Sequence, residues 1–303
     1  MEKQMSNPYI SGAFFSRLET QALRLKNDLI GFFGGKHRTD KYGQTVEFAD
    51  YREYMLGDDI RRIDWNLYSR FEKYYIRLFT DERQMAVNIY IDCSASMGKD
   101  IPQKGQYAVA LGAGLGFLAV HSMDKVSFKP IHEKQADDSG GTIVGKSAFF
   151  RAIRKLEDIN FAGDSYLSEA IIGSAEKGSR DGLTVIISDF LTDNDWKRAV
   201  DFLRYKGRQV LLMQVLAKEE AAPAYTGRVN LIDSEALDME DPRNMKMKIN
   251  SGHYRAYAQA LNAIKEELRG YCKSRRADFV SVCTDTPIEK AIFRELMKIG
   301  VLE

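Results

Sequence analysis

A strand-like run that ends abruptly in polar residues constrains this chain more than any other feature. Residues 87–91 carry β-branched side chains at every second position, as a buried strand does. The run ends in Asp92, Ser94 and Ser96. Because side chains alternate along an extended backbone, these three polar side chains can point to the same side. The pattern predicts a strand that delivers several oxygen atoms to one edge of a sheet.

Two interpretations of this polar cluster stay open from the segment alone. A cluster of oxygen atoms suits a hard cation such as Mg²⁺, which takes about six oxygen ligands at roughly 2.1 Å and keeps waters among them. A carboxylate and two hydroxyls can equally form a polar turn that caps the next helix. The segment therefore predicts either a metal site or a structural cap.

Composition and charge narrow the class of protein. The 303 residues suffice for one large or two modest domains, and 44% hydrophobic with 29% charged residues is ordinary for a soluble globular protein. A net charge of +1 gives no global attraction to nucleic acid or anionic lipid. Charged residues interrupt the apolar stretch 13–35, so we expect neither a membrane span nor a signal peptide.

The cysteine residues show no pattern of a disulfide or zinc site. Cys93, Cys272 and Cys283 are odd in number and include no CxxC pair. No histidine lies near Cys93 in the sequence, which argues against a cysteine nucleophile. A reducing compartment fits this cysteine usage, and we expect a cytoplasmic protein.

Strands and helices alternate over most of the chain. Residues 74–303 are predicted to form an α/β domain with a doubly wound, mainly parallel sheet of five or six strands and helices on both faces. Residues 125–131 and 142–144 are expected to form a hairpin or two edge strands. Residues 1–73 are predicted to form an N-terminal helical and irregular extension. Its amphipathic helix, over residues 8–33, carries acidic residues, which favour packing on its own protein over a membrane surface.

The charged segment 52–65 has two open interpretations. Arginines beside aspartates and aromatic residues can form a rigid scaffold of ion pairs and stacked guanidinium planes. The same composition is typical of a protein-recognition surface. The balance of acidic and basic residues does not favour nucleic-acid binding.

A second carboxylate is predicted at the same edge of the sheet. The apolar run 183–187 ends in Ser188 and Asp189, as the first run ends in Asp92. Ligands of open α/β sheets bind outside the carboxyl ends of the strands, so Asp92 and Asp189 are plausible neighbours. The loop before the helix at residue 166 adds Ser165, which by itself is a capping sequence.

Together these residues resemble the metal-ion-dependent adhesion site of von Willebrand factor A domains. The resemblance lies in the Asp92-x-Ser94-x-Ser96 motif, in Ser165 some seventy residues on, and in Asp189 at the end of a later strand. Ser165 takes the position usually held by Thr. The resemblance implies a von Willebrand factor A-like fold that binds one Mg²⁺ or Mn²⁺ weakly through these five residues, with the two aspartates bound directly or through water.

A wider resemblance covers roughly residues 35–220, which are similar to the bacterial family called domain of unknown function fifty-eight. The motifs that carry it are Gly35-Lys36-His37-Arg38, Gly57-Asp58-Asp59 and Arg61-Arg62-Ile63-Asp64-Trp65. Members of that family are typically linked with MoxR-type AAA+ ATPases. The resemblance implies a non-enzymatic partner of such an ATPase in a chaperone-like or maturation system.

The charge of the predicted site favours binding over catalysis. Three hydroxyls and two carboxylates leave a divalent cation short of negative charge, so it should seek an Asp or Glu from a partner protein. A metal-dependent hydrolase that uses Asp92 is the alternative, since phosphatases with an aspartate nucleophile also place an Asp after a first strand. Those enzymes carry Asp-x-Asp, and Ser94 stands at the third position here. A metal-free structural relic is a further alternative.

Overall fold

The chain divides into two compact units. The computed structural model describes residues 7–24, 47–80, 84–98, 101–175, 182–191, 195–223, 227–231 and 245–296. Residues 35–84 form the smaller unit, and residues 1–34 with 85–303 form the larger one. The predicted division into residues 1–73 and 74–303 differs from these units and stays a prediction.

A six-stranded sheet forms the centre of the larger unit. The described strands are β1 (Glu47–Glu53), β2 (Tyr75–Thr80), β3 (Ala86–Asp92), β4 (Lys125–His132), β5 (Gln135–Ala136), β6 (Leu183–Ser188), β7 (Gln209–Leu216), β8 (Gly227–Leu231), β9 (Met245–Ile249) and β10 (Asp278–Cys283). The central sheet has the order β10-β7-β6-β3-β4-β5, in which β5 alone is antiparallel to its neighbour. The predicted α/β fold with a mainly parallel sheet is confirmed.

Helices cover both faces of this sheet. The described α-helices are α1 (Gly12–Arg24), α2 (Trp65–Phe71), α3 (Ala95–Gly98), α4 (Pro102–His121), α5 (Lys146–Leu156), α6 (Leu167–Ala175), α7 (Trp196–Tyr205), α8 (Lys218–Ala221), α9 (Ser251–Ser274) and α10 (Ile288–Leu296). Along β3, Ile89 and Ile91 join the cluster that includes α4, whereas Tyr90 joins the cluster that includes α7. None of the helices in the described ranges is both long and apolar enough to span a membrane.

Helix α1 belongs to the larger unit and packs in its core through an apolar face. Phe14, Phe15 and Leu18 are buried in the same core cluster as α4. The Phe15 ring lies 5.0 Å from that of Phe117, in the range of favourable aromatic pairs. This confirms the expectation that the amphipathic helix packs on its own protein. Its predicted extension to residue 33 lies outside the described residues.

The edge of the sheet beyond β4 differs from the prediction. Residues 142–144 contribute only an isolated bridge between Ile143 and Val126, and β5 takes the edge position. Glu133 has a positive φ of 51°, which turns the chain back directly after β4. Pairing with β4 therefore begins before the polar loop, and after the loop it is limited to the Ile143 bridge. Strands β8 and β9 pair with each other in a separate antiparallel sheet.

The smaller unit is built on an antiparallel β1–β2 pair with a charged network. Arg52 donates to Asp58 at 2.8 Å, and the Asp64 carboxylate caps α2 through the Asn66 and Leu67 N–H groups. The Arg52–Asp58 pair is one ion pair of the scaffold that the charged segment predicts, and the stacked guanidinium planes stay a prediction. A role as a partner surface stays a prediction.

A buried arginine ties the amino ends of the central strands together. Arg208, 1% exposed, donates to the Thr184 hydroxyl at 2.5 Å, the Leu183 carbonyl at 2.6 Å and the Ala86 carbonyl at 2.8 Å. Gly182 lies at the same edge with a φ of +128°, and a Cβ there would stand 2.1 Å from the Ala86 oxygen. Only glycine fits this close approach of two strands.

A half-buried carboxylate at the start of β10 predicts a pH dependence of stability. Burial raises the pKa of Asp278 to about 6, above its value of about 4 in an unfolded chain. The charged form therefore opposes folding, and this group makes the fold less stable as the pH rises through that window. We expect Asp278→Asn to raise the free energy of unfolding by about 1–2 kcal/mol near pH 8 in urea denaturation, with the gain absent near pH 4.

Asp201 is the matched control for this titration. A hydrogen bond from Arg275 lowers the pKa of the Asp201 carboxyl, so its charged form favours folding. Asp201→Asn should lose stability near pH 8, opposite in sign to Asp278→Asn. Equal effects of the two substitutions would contradict the assignment.

Candidate functional site

The parallel pairing of β3 with β6 brings two polar strand ends to one edge of the sheet. Ile91 lies opposite Ile187, so the residues that follow each of them leave the sheet side by side. Those residues are Asp92 after the first strand and Ser188 with Asp189 after the second. The two ends predicted to be neighbours from the sequence are neighbours in the structure.

The Asp92 carboxylate is the centre of the site. It is 1% exposed and accepts three hydrogen bonds. The Ser94 N–H donates to Oδ1 at 3.0 Å, and the Ser165 and Ser188 hydroxyls donate to Oδ2 at 2.9 and 2.7 Å. Both carboxylate oxygens are therefore held in a fixed orientation.

Backbone bonds bring the two serine loops together. The Ala95 N–H donates to the Gly163 carbonyl and the Ala162 N–H donates to the Cys93 carbonyl, each at 2.9 Å. Ser165 itself forms a bridge with Glu133, just after β4. The loop that carries Ser165 is thereby fixed beside the loop that follows Asp92.

The remaining hydroxyls complete the cluster. The Ser94 and Ser96 Oγ atoms lie 3.2 Å apart, with Ser94 buried and Ser96 partly exposed. The structure thus joins Asp92, Ser94, Ser96 and Ser165 in one hydrogen-bonded group. Four of the five predicted ligand residues lie in this group.

Asp189, the fifth predicted residue, is engaged differently. Its Oδ1 accepts the Leu191 N–H at 3.1 Å, and its Oδ2 accepts the ammonium of Lys104 at 2.8 Å. Lys104 also donates to the Ser96 carbonyl at 3.1 Å. Asp189 is therefore linked to the serine cluster through a lysine that the sequence analysis did not single out.

Lys104 is fully buried and lies between two carboxylates. Its side chain is 0% exposed, and the ammonium donates to Glu220 at 2.7 Å as well as to Asp189. Burial alone would lower the pKa of Lys104, but the charges of Asp189 and Glu220 outweigh burial and raise it. The Glu220 carbonyl in turn accepts the Tyr257 hydroxyl at 2.8 Å, which joins this network to α9.

Charge and burial decide what the other groups at this edge can do. Burial, followed by the charge of Asp189, raises the pKa of Asp92. Burial likewise raises the pKa of the Cys93 thiol, whose Sγ donates to the Ile91 carbonyl. A thiol held neutral is a poor nucleophile, which agrees with the sequence argument against one.

The donor set fits a hard cation at four residues. Asp92, Ser94, Ser96 and Ser165 offer only oxygen atoms, the ligands that Mg²⁺ and Mn²⁺ prefer. Across the described ranges no three His, Cys, Asp or Glu residues are grouped to hold a metal. Asp189 fits only if the Lys104 ammonium gives up its Oδ2.

Sequence reasoning missed two polar residues of the site, Lys104 and Glu220, and the role of a third. The Lys104 ammonium donates to Asp189 and to Glu220. Ser188 was placed beside Asp189 at the strand end, but its hydrogen bond to Asp92 was not predicted. Lys104 and Glu220 lie in separate helices, and neither has a local pattern that marks it.

The family described as Protein of unknown function DUF58 matches residues 50–266. An uncharacterized protein of Mycobacterium tuberculosis is 28% identical over 226 residues, which cover 72% of this chain and 70% of that protein. An uncharacterized protein of Mycobacterium bovis matches with the same values. The matched range includes the Asp92 cluster, Asp189, Lys104 and Glu220.

Two solved structures show a distant likeness to this chain. The conserved hypothetical protein BatB from Bacteroides thetaiotaomicron aligns with a TM-score of 0.41 at 19% identity, covering 71% of this chain and 98% of that one. Proximal thread matrix protein 1 of the mussel byssus aligns with a TM-score of 0.38 at 9% identity, covering 71% and 45%.

Proposed function

This chain belongs to the family described as Protein of unknown function DUF58, and we propose that it is a non-enzymatic protein-binding module. We propose that its binding depends on one Mg²⁺ or Mn²⁺ ion. The observation that carries the proposal is the serine cluster around Asp92. The Ser165 hydroxyl lies 2.9 Å from the carboxylate, and the Ser94 and Ser96 hydroxyls lie 3.2 Å apart. We further propose that the fold is von Willebrand factor A-like, as the motif resemblance suggests.

The residues of the cluster would orient the ion rather than enclose it. Ser94, Ser96 and Ser165 offer neutral oxygens, and Asp92 offers a carboxylate whose orientation is set by donated hydrogen bonds. A bound Mg²⁺ or Mn²⁺ supplies a positive centre that accepts a carboxylate from outside. An Asp or Glu of a partner protein is the ligand that we propose, because a hard cation held largely by neutral hydroxyls gains from a carboxylate ligand.

The burial of Asp92 supports binding over hydrolysis. Its carboxylate accepts hydrogen bonds on both oxygens and is 1% exposed, so it is poorly placed to attack a substrate. The partner that we propose is a MoxR-type AAA+ ATPase, or another protein that donates an Asp or Glu to the metal. We propose the cytoplasm as the place where they meet.

Binding to a MoxR-type ATPase of the same organism tests this function. We expect biolayer interferometry to show binding in Mg²⁺ that falls at least about tenfold in EDTA, because removal of the ion removes the positive centre that binds the partner's carboxylate. The double variant Ser94→Ala with Ser96→Ala should lose the same affinity in Mg²⁺, since each substitution removes a proposed metal ligand.

The control pair is Ser122→Ala with Ser139→Ala, two exposed serines outside the cluster. This variant should keep the affinity of the wild type and its sensitivity to EDTA. If EDTA and the Ser94 and Ser96 substitutions both leave the affinity unchanged, the metal is not what holds the partner, and the proposal fails.

A further inference from the structure

Lys104 is an internal cation beside the proposed metal site. An ammonium group has three N–H donors, and those of Lys104 meet the Ser96 carbonyl at 3.1 Å, Asp189 at 2.8 Å and Glu220 at 2.7 Å. The side chain is 0% exposed, so these protein groups rather than water satisfy its charge. The site thus holds a positive charge without any metal.

This ammonium and a divalent cation would interact with the same carboxylate. A cation held at Ser94 and Ser96 would attract Asp189 and repel Lys104, which bonds the Ser96 backbone. Like charges a few ångströms apart in a buried region repel strongly, since little water screens them. Asp189 therefore cannot bind the Lys104 ammonium and the metal ion fully at the same time.

Glu220 can keep the Lys104 ammonium in an ion pair after the ammonium leaves Asp189. Its Oε1 accepts from Lys104, and its Oε2 accepts the Ala217 N–H at 2.7 Å, which fixes the carboxylate at the start of α8. The Glu220 side chain is 20% exposed, so its environment is less dry than that of Asp189 at 3%. Lys104 can then lose one carboxylate partner without becoming unpaired.

We propose that Lys104 competes with the metal ion for the Asp189 carboxylate. When the ion binds, the Lys104 ammonium releases Asp189 and stays paired with Glu220. This inference rests on the proposed metal site and adds how that site is regulated. It explains how the charge of Asp189 is balanced before metal binds. It also implies that the metal affinity of the wild type is held below what the ligands alone would give.

Titration of the full chain with Mn²⁺, followed by electron paramagnetic resonance of the free ion, tests the competition. We expect Lys104→Met combined with Glu220→Gln to bind Mn²⁺ at least about tenfold more tightly than the wild type, because the competing charge is gone. The pair removes one positive and one negative charge, so the net charge of the protein is unchanged.

Glu220→Gln alone provides a second test that keeps the Lys104–Asp189 pair. It should bind Mn²⁺ at least about threefold more weakly than Glu219→Gln, because the ammonium then has Asp189 as its only carboxylate partner. Glu219 is an exposed residue of the same helix, so the matched variant makes the same change of charge. Equal affinities of these two variants would overturn the competition.

The outcomes separate this inference from the proposed function. If Mn²⁺ binding requires Asp92 but is unchanged by substitution of Lys104 and Glu220, the competition is overturned and the proposed metal site is supported. Binding by the double variant without binding by the wild type supports the competition and overturns metal dependence of the natural chain. No binding by any variant at millimolar Mn²⁺ overturns both.

Discussion

Arg208→Met is expected to lower the free energy of unfolding by at least about 4 kcal/mol, because hydrogen bonds from a charged donor contribute about 1.5–3 kcal/mol each. The hydrogen bonds of Arg208 include three to acceptors on two strands, at Thr184, Leu183 and Ala86. Methionine keeps the length of the side chain but donates nothing. Urea denaturation with fluorescence detection measures the change.

Arg198→Met is the matched control for this prediction. Arg198 lies in α7, near Arg208 in the chain, and its side chain is exposed. Its replacement should change stability by less than about 0.5 kcal/mol. An Arg208→Met protein as stable as this control would show that the buried guanidinium does not hold the strand ends.

Lys104→Met should also cost about 3–5 kcal/mol of stability, because it leaves the charges of a buried ion pair without their partner. Asp189 and Glu220 would both lose the ammonium, and Asp189 lies beside the raised-pKa carboxyl of Asp92. Chemical denaturation in EDTA measures this loss without any contribution from metal.

Lys129→Met tests whether burial of any lysine has the same effect. The Lys129 side chain is 5% exposed, but its partner Asp138 is 58% exposed and can return to solvent. The loss should therefore be smaller than for Lys104→Met. Equal losses of stability would mean that the ion pairs of Lys104 with Asp189 and Glu220 add little to the stability of the fold.

Most of the fold follows from local patterns in the sequence. Runs such as residues 87–91 and 183–187 have a strand period, and the helices between them have an apolar face, so alternation predicted the parallel sheet. Strand β5 has two residues, too few to show a period. Its position depends on the positive φ of Glu133, which the sequence does not reveal.

The site was predictable where it depends on strand ends. Asp92 and Asp189 follow apolar runs, and parallel pairing places such ends together. The burial of Lys104 was not predictable, because a lysine near the start of a helix is ordinarily solvated. Only the tertiary fold brings Glu220, 116 positions away, to within bonding distance of its ammonium.

The bond from Tyr257 to the Glu220 carbonyl has a consequence for how a partner and the ion act on each other. It connects helix α9 to the residue that retains Lys104. Thermodynamic linkage is reciprocal, so a protein whose docking on α9 shifts Tyr257 would change the affinity for the ion by the same factor by which the ion changes its docking. The 39% exposure of Tyr257 leaves it within reach from outside. A partner could thus set the occupancy of the site without touching a single ligand of the ion.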